Sequence, residues 1–226
     1  MTGYGQFCSV ARAHEALGGR WTLLIVRELL CGASRFSEIR RGIPRISRTM
    51  LSERLQALVD LQVLAKTEGA AGPEYHLTDA GAELTGLIQT LGAWGQRWLP
   101  RRTEFEDFDL EPLLLDMTRR VRVSALPPDP MVIRIEVRPH RPRFLLLKAP
   151  EVSLCDHNRG FPERLVLRTR QPTLAAWWRG DIGLLEARRQ GLELEGPREL
   201  IRAFPDWFER YLFADVRPVV PLAGAA

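Results

Sequence analysis

The stretch RFSEIRRGIPRISRTMLSERLQAL, residues 35–58, reads as two helices joined by a tight turn. Ser34 stands ahead of Phe36–Arg41 as a helix N-cap, and Glu38 is placed to complement the positive end of that helix. Gly42-Ile43-Pro44 interrupts it. Ser47 then caps a second helix, 48–61, in which Leu51, Leu55 and Leu58 recur at the i, i+4, i+7 spacing of one buried stripe. Burying that stripe turns Thr49, Ser52, Glu53 and Gln56 outward, with Arg48 on the exposed first turn.

The flanks extend the pattern. A short helix over Val10–Leu17 ends at Gly18-Gly19, and RWTLLIVRELL, residues 20–30, is apolar on almost every side, as suits a helix in the middle of a core. After Leu61 comes a short strand, Val63–Thr67, a tip over 68–73, and a returning strand, Tyr75–Leu77: a β-hairpin wing. Thr78 or Asp79 caps a long helix with Leu84, Leu87, Ile88, Leu91, Trp94 and Trp98 along one side, a stripe long enough to meet another helix.

The residue types on the outward face of 48–61 decide what it can bind. The major groove of B-DNA admits one α-helix, and hydroxyls, amides and guanidinium groups pair with base edges there. Arg48 and Gln56 are the leading base-contact candidates, joined by Ser47, Thr49 and Ser52. Arg35, Arg40, Arg41, Arg45 and Arg54 face only Glu38 and Glu53, so positive charge is concentrated here, and Lys66 adds one cation in the wing. A solvated face is the commoner fate of any single arginine; the cluster on a turn-linked helix pair followed by a wing shifts the balance. Arg54 falls beside the leucine stripe, where it snorkels or pairs with an acid.

Composition bounds the rest. The 226 residues carry 32 Lys and Arg against 28 Asp and Glu, a net +4 that permits a polyanionic partner without arguing for one. With 45% hydrophobic and 27% charged residues the chain can pack a core without metals or disulfides. No run approaches the roughly 20 apolar residues of a membrane span, and the first residues lack a leader pattern, so a cytoplasmic protein with no membrane association is expected. Cys8, Cys31 and Cys155 suit neither a disulfide framework nor a zinc site. The histidines are isolated, and adjacent Cys155-Asp156-His157 cannot converge on one reacting atom, so no enzyme, cofactor or metal is expected.

Pro100-Arg101-Arg102 and the acidic run 104–109 place a domain boundary, giving domains 1–100 and 101–226. In the second, a helix near 110–121 precedes strands at 131–137, 144–148, 165–170 and 192–195, with helices at 173–178, 181–190 and 205–213. The fold class is α+β.

Residues 8–98 resemble the HxlR family of winged-helix regulators through Cys8, LGGRWTLLIVRELL (17–30), RFSEIRRGIPRIS (35–47), LSERLQAL (51–58) and YHLTDAG (75–81). The resemblance implies a homodimer built from the N-terminal segment and the helix near 79–98, with two recognition helices on adjacent turns of double-stranded DNA. The short wing, with no arginine at its tip, departs from that pattern. Some family members sense oxidants or electrophiles through a cysteine near Cys8; on residue type alone Cys8 reads as a small buried hydrophobe ahead of a reactive thiol, and Cys31 as packing. More weakly, PTLAAWWRGDIGLLEARRQGLELEGPRELIRAFPDWF (172–208) resembles the sterol carrier protein fold. That resemblance makes Trp177, Trp178, Leu184, Leu185, Phe204, Trp207 and Phe208 candidates to line a pocket for a small apolar effector, against the simpler reading of a closed core. The expectation is a dimeric DNA-binding repressor controlled by such an effector or by thiol oxidation. The competing expectation is a lipid-binding or carrier protein whose winged helix serves protein contacts only.

Overall fold

The structure, a computed structural model, describes residues 3–99 and 108–219. The chain divides into two compact units, Met1–Gly92 and Ala93–Ala226. The boundary expected at residue 100 lies outside the described residues.

The first unit holds α1 (Ser9–Leu17), α2 (Thr22–Leu30), α3 (Phe36–Gly42), α4 (Arg48–Asp60), the antiparallel hairpin β1 (Leu64–Gly69) and β2 (Gly72–Leu77), and the start of α5 (Asp79–Trp98). Leu51, Leu55 and Leu58 of α4 are fully buried with Ile25, Val26 and Leu29 of α2 and Ile39 of α3. Between α3 and α4 the turn is fixed by two more buried side chains, Ile43 and Ile46, and by the Ile46 N–H donating to the Ile43 carbonyl at 3.1 Å. Ser47 caps α4 as its sequence indicates: its Oγ accepts from the Met50 amide at 3.1 Å.

Local departures have local causes. Helix α2 starts at Thr22 instead of residue 20 because Trp21 is left-handed, φ 79°. Ser34 is not the cap of α3; Arg35 occupies that position, and the Glu38 carboxylate accepts from the amides of both Ser34 and Arg35. The wing is longer than its polar tip suggests. Glu68, Gly69, Gly72 and Pro73 are all paired in the ladder, and only Ala70-Ala71 turn, with Gly72 at φ 106°. Thr78 is the cap of α5, its Oγ1 accepting from the Gly81 amide. The apolar side of α5 divides in two: Leu84 and Ile88 pack on the core, while Leu87, Leu91, Trp94 and Trp98 are exposed.

Helix α2 also buries a carboxylate that its apolar run hides. Glu28 is buried, held by Arg27 through Nε at 3.0 Å and a second guanidinium nitrogen at 2.6 Å. It fits only because α3 ends in Gly42: a Cβ there would stand 1.8 Å from Glu28 Oε2.

The second unit is a five-stranded sheet with helices. Helix α6 (Leu110–Arg119) precedes β3 (Met131–Arg138), β4 (Arg143–Lys148), β5 (Glu151–Cys155) and β6 (Glu163–Arg170); α7 (Gln171–Arg179), α8 (Leu184–Arg189), β7 (Glu193–Glu195) and α9 (Arg198–Ala203) follow. The sheet order is β5-β4-β3-β6-β7, with β3 and β6 parallel and the other neighbours antiparallel. Met131, Ile133, Ile135 and Val137 alternate along β3 toward a core shared with Leu114, Met117, Leu174 and Trp178. The helix expected over 205–213 is absent. A single 3-10 turn, Phe204–Trp207, gives way to extended chain because Phe208 bridges Val121, with the Arg122 amide donating to Trp207 O and the Glu209 amide to Arg120 O.

Substituting Gly42→Ala forces a buried, ion-paired carboxylate to move. We expect a loss of about 1–3 kcal/mol, a typical overpacking cost, read as a lowered denaturation midpoint; unchanged stability would show that Glu28 is free to swing away.

Candidate nucleic-acid interface

With the leucine stripe buried, the opposite side of α4 is open. Arg48, Thr49, Ser52, Glu53 and Gln56 are all exposed, as are Ser47 and Arg45 just ahead of the helix. Among the described residues Arg48 makes no ion pair. Gln56 donates from Nε2 to Asp60 Oδ1 at 2.8 Å, one helical turn on, which aligns its amide along the same face. A row of hydroxyl, amide and guanidinium groups therefore stands on one rigid rod, and Ser47 at its N-terminus is positioned by its own capping bond.

The structure separates the surrounding cations. Arg35 is exposed, but its Nε donates to Glu74 Oε1 of β2 at 3.1 Å, and residues 35 and 74 form a bridge beside the bond from the Tyr75 amide to Ser34 O. It fastens the wing to the start of α3 instead of projecting freely. Sequence spacing could not show this, since the partner lies 39 residues away. Arg54 is half-buried and turned off the face: a Cβ built on Gly19 would stand 2.8 Å from its guanidinium, and its Nε is buried without a hydrogen-bond partner among the described residues. Lys66 is exposed on β1.

Cys8 and Cys31 both depart from expectation, for both are exposed and neither is in a disulfide; Cys155 is buried. Cys8 occupies the position before α1, where no turn of helix precedes it to cover it. The amides of Ala11, chiefly, and Val10 favour its thiolate and hold the pKa below the ordinary thiol value, without a full capping hydrogen bond.

The aromatic residues considered as a pocket lining pack against one another. Trp178, Phe204, Trp207 and Phe208 are buried, and Trp177 stacks on Phe204 at 5.6 Å while Phe204 meets Phe208 edge-on at 5.3 Å. Leu184 packs against this cluster, but Leu185 is 69% exposed and lies outside it. Among the described residues no group of His, Cys, Asp and Glu could hold a metal ion, and no helix is long and apolar enough to cross a membrane.

A buried helix pair with a capped, outward-facing second helix and a β-hairpin beside it defines a winged helix-turn-helix protein. Residues 16–103 match the HxlR-like helix-turn-helix family. The chain is 44% identical over 96 residues to an uncharacterized HTH-type transcriptional regulator of Mycobacterium tuberculosis, MT3179, covering 41% of this chain and 60% of that protein. It is 40% identical over 91 residues to the HTH-type transcriptional regulator YodB of Bacillus subtilis, covering 38% of this chain and 80% of the relative. The crystal structure of diamide-treated YodB aligns at a TM-score of 0.35 and 34% identity, over 40% of this chain and 93% of that one. The chain belongs to the HxlR-like helix-turn-helix family. It spans about 60% of the length of the mycobacterial relative.

The exposed, amide-facing Cys8 thiol should alkylate at lower pH than an ordinary thiol. In a Cys31→Ser background, the midpoint of the iodoacetamide rate against pH should fall below that of a free cysteine peptide, because the stabilised thiolate persists at lower pH; a midpoint at or above the peptide's would contradict the geometry.

Proposed function

We propose that this protein is a sequence-specific DNA-binding transcriptional regulator acting as a homodimer, with α4 as the helix that enters the major groove. The observation that carries the reading is the exposed row Ser47, Arg48, Thr49, Ser52 and Gln56 on a helix whose other side is fixed in the core. Family membership and relatives named as transcriptional regulators support it. In this reading Arg48 and Gln56 contact base edges, Ser47, Thr49 and Ser52 contact bases or phosphates, and Arg45 and Lys66 contact phosphates. Arg35 and Arg54 act through the fold, by holding the wing and by packing on Gly19.

Dimerisation through the N-terminal segment and α5 is supported by what these elements leave uncovered. Phe7 is 97% exposed and Val10 75%, and α5 presents Leu87, Leu91, Trp94 and Trp98 at i, i+4, i+7, i+11 spacing. Apolar side chains at such a repeat match a helix–helix seam. Two recognition helices would then meet half-sites roughly 34–36 Å apart. Cys8, in the same segment, is the candidate for control by thiol oxidation, supported by its exposure and stabilised thiolate. For the second unit we propose a sterol-carrier-like accessory module, supported by the run β6, α7, Gly180-Asp181, α8 and β7, ending at Gly196.

Footprinting on DNA flanking its own gene tests the reading. Arg48→Ala should weaken specific binding by about 1–3 kcal/mol, while Lys66→Ala should weaken all sequences alike and lower the log-log salt slope by about 0.9. Equal affinity for all DNA, or no binding at about 50 mM salt, would favour a carrier role with the winged helix in protein contacts. Separately, Leu91→Glu should convert a dimer to a monomer in sedimentation; a wild-type protein that is already monomeric would exclude the proposed seam.

A further inference from the structure

The second unit carries a recess that the aromatic core does not use. It lies beside the C-terminal end of α7, has a volume of about 620 Å³, and is lined by Arg179, Gly180, Asp181, Arg210 and the segment Ala214–Pro218. That volume is within the range of small-molecule sites. Its lining has no aromatic side chain and three guanidinium groups.

Two of the three are positioned by carboxylates. Arg179 donates to Asp181 Oδ2 from Nε at 2.9 Å and from a second nitrogen at 2.7 Å, and the Asp181 carboxylate is 6% exposed. Arg210 donates to Asp215 Oδ1 at 2.6 Å, and its carbonyl accepts from Arg120 at 3.3 Å. Both carboxylates in the lining are thus already matched by a cation. Arg217 is the third arginine, exposed, and among the described residues it has no acidic partner. The chain gains this concavity at small residues. Gly180, left-handed at φ 80°, ends α7, and a Cβ there would come within 3.2 Å of the Ala214 Cβ and 3.4 Å of an Arg210 nitrogen.

We propose that this recess binds a small anionic molecule carrying a phosphate or carboxylate group, with Arg217 as the cation that the ligand neutralises and Arg179 and Arg210 as walls held in place by Asp181 and Asp215. The apolar side chains of the lining are only Ala214, Val216 and Pro218 beside five charged ones, and a cationic ligand would meet an excess of positive charge. The site lies wholly in the second unit, so it stands or falls independently of DNA binding.

Calorimetric titration of the full chain, at ionic strength held constant with chloride, uses inorganic phosphate in one arm and succinate in the other. One saturable site per chain for either probe is expected, and the stronger arm identifies the ligand as a phosphate ester or a carboxylate. Arg217→Gln, at an exposed position that should not affect folding, should weaken that binding by about five- to tenfold, and Arg210→Gln should weaken it in the same direction. No saturable binding of either probe, or unchanged affinity in both variants, would overturn the proposal.

Discussion

The burial of three leucines on α4 is the constraint from which the interface follows. Leu51, Leu55 and Leu58 are fully enclosed by α2 and α3, and each is worth about 1.5–3 kcal/mol against exposure, as an upper estimate. Turning α4 by half a revolution would therefore cost about 5–9 kcal/mol, comparable with the total stability of a small domain. The helix has one permitted orientation, and its polar side is outward by necessity. Ile43 and Ile46 extend the same constraint into the turn, so the angle between α3 and α4 is set by packing as well as by the Ser47 cap.

What could be read from the sequence was what local chemistry determines. The leucine spacing, the Ser47 cap and the break at Gly42 all act within a turn or two of helix, and each is found where its residues place it. What escaped depends on partners far along the chain. Arg35 and Arg54 have the composition of phosphate ligands, yet one is held by Glu74 and the other lies over Gly19. Glu28 sits in an apolar run and becomes a buried ion pair only because Gly42 leaves room for it. Cys8 is of a type usually buried, but its place ahead of α1 leaves it uncovered.

The second unit shows the same division more sharply. Strands rich in branched and aromatic residues, such as β3 and β4, were legible, whereas β5 was not, being short with only Val152 and Leu154 as apolar signal. Sheet order is beyond any local pattern, because β3 joins β6 in parallel across the whole β4–β5 hairpin. Phe208 was assigned to a helix by its neighbours' composition, and its bridge to Val121 decides otherwise. The aromatic cluster near it is packed ring against ring, while the arginine-lined edge forms a recess.

The charge distribution then bears on assembly. Arg27 is paired with Glu28, Arg35 is paired with Glu74 and Arg54 lies over Gly19, while Arg45, Arg48 and Lys66 are exposed near α4. In the proposed reading the two phosphate-directed cations, Arg45 and Lys66, would release counterions with a salt slope of only about −1.8. Two copies joined along an apolar seam would double that term, since the second set binds as part of the same molecule. The exposed leucines and tryptophans of α5 and the few exposed cations near α4 would act together if two copies met along that seam, since the apolar side chains would bring in the second set of charges.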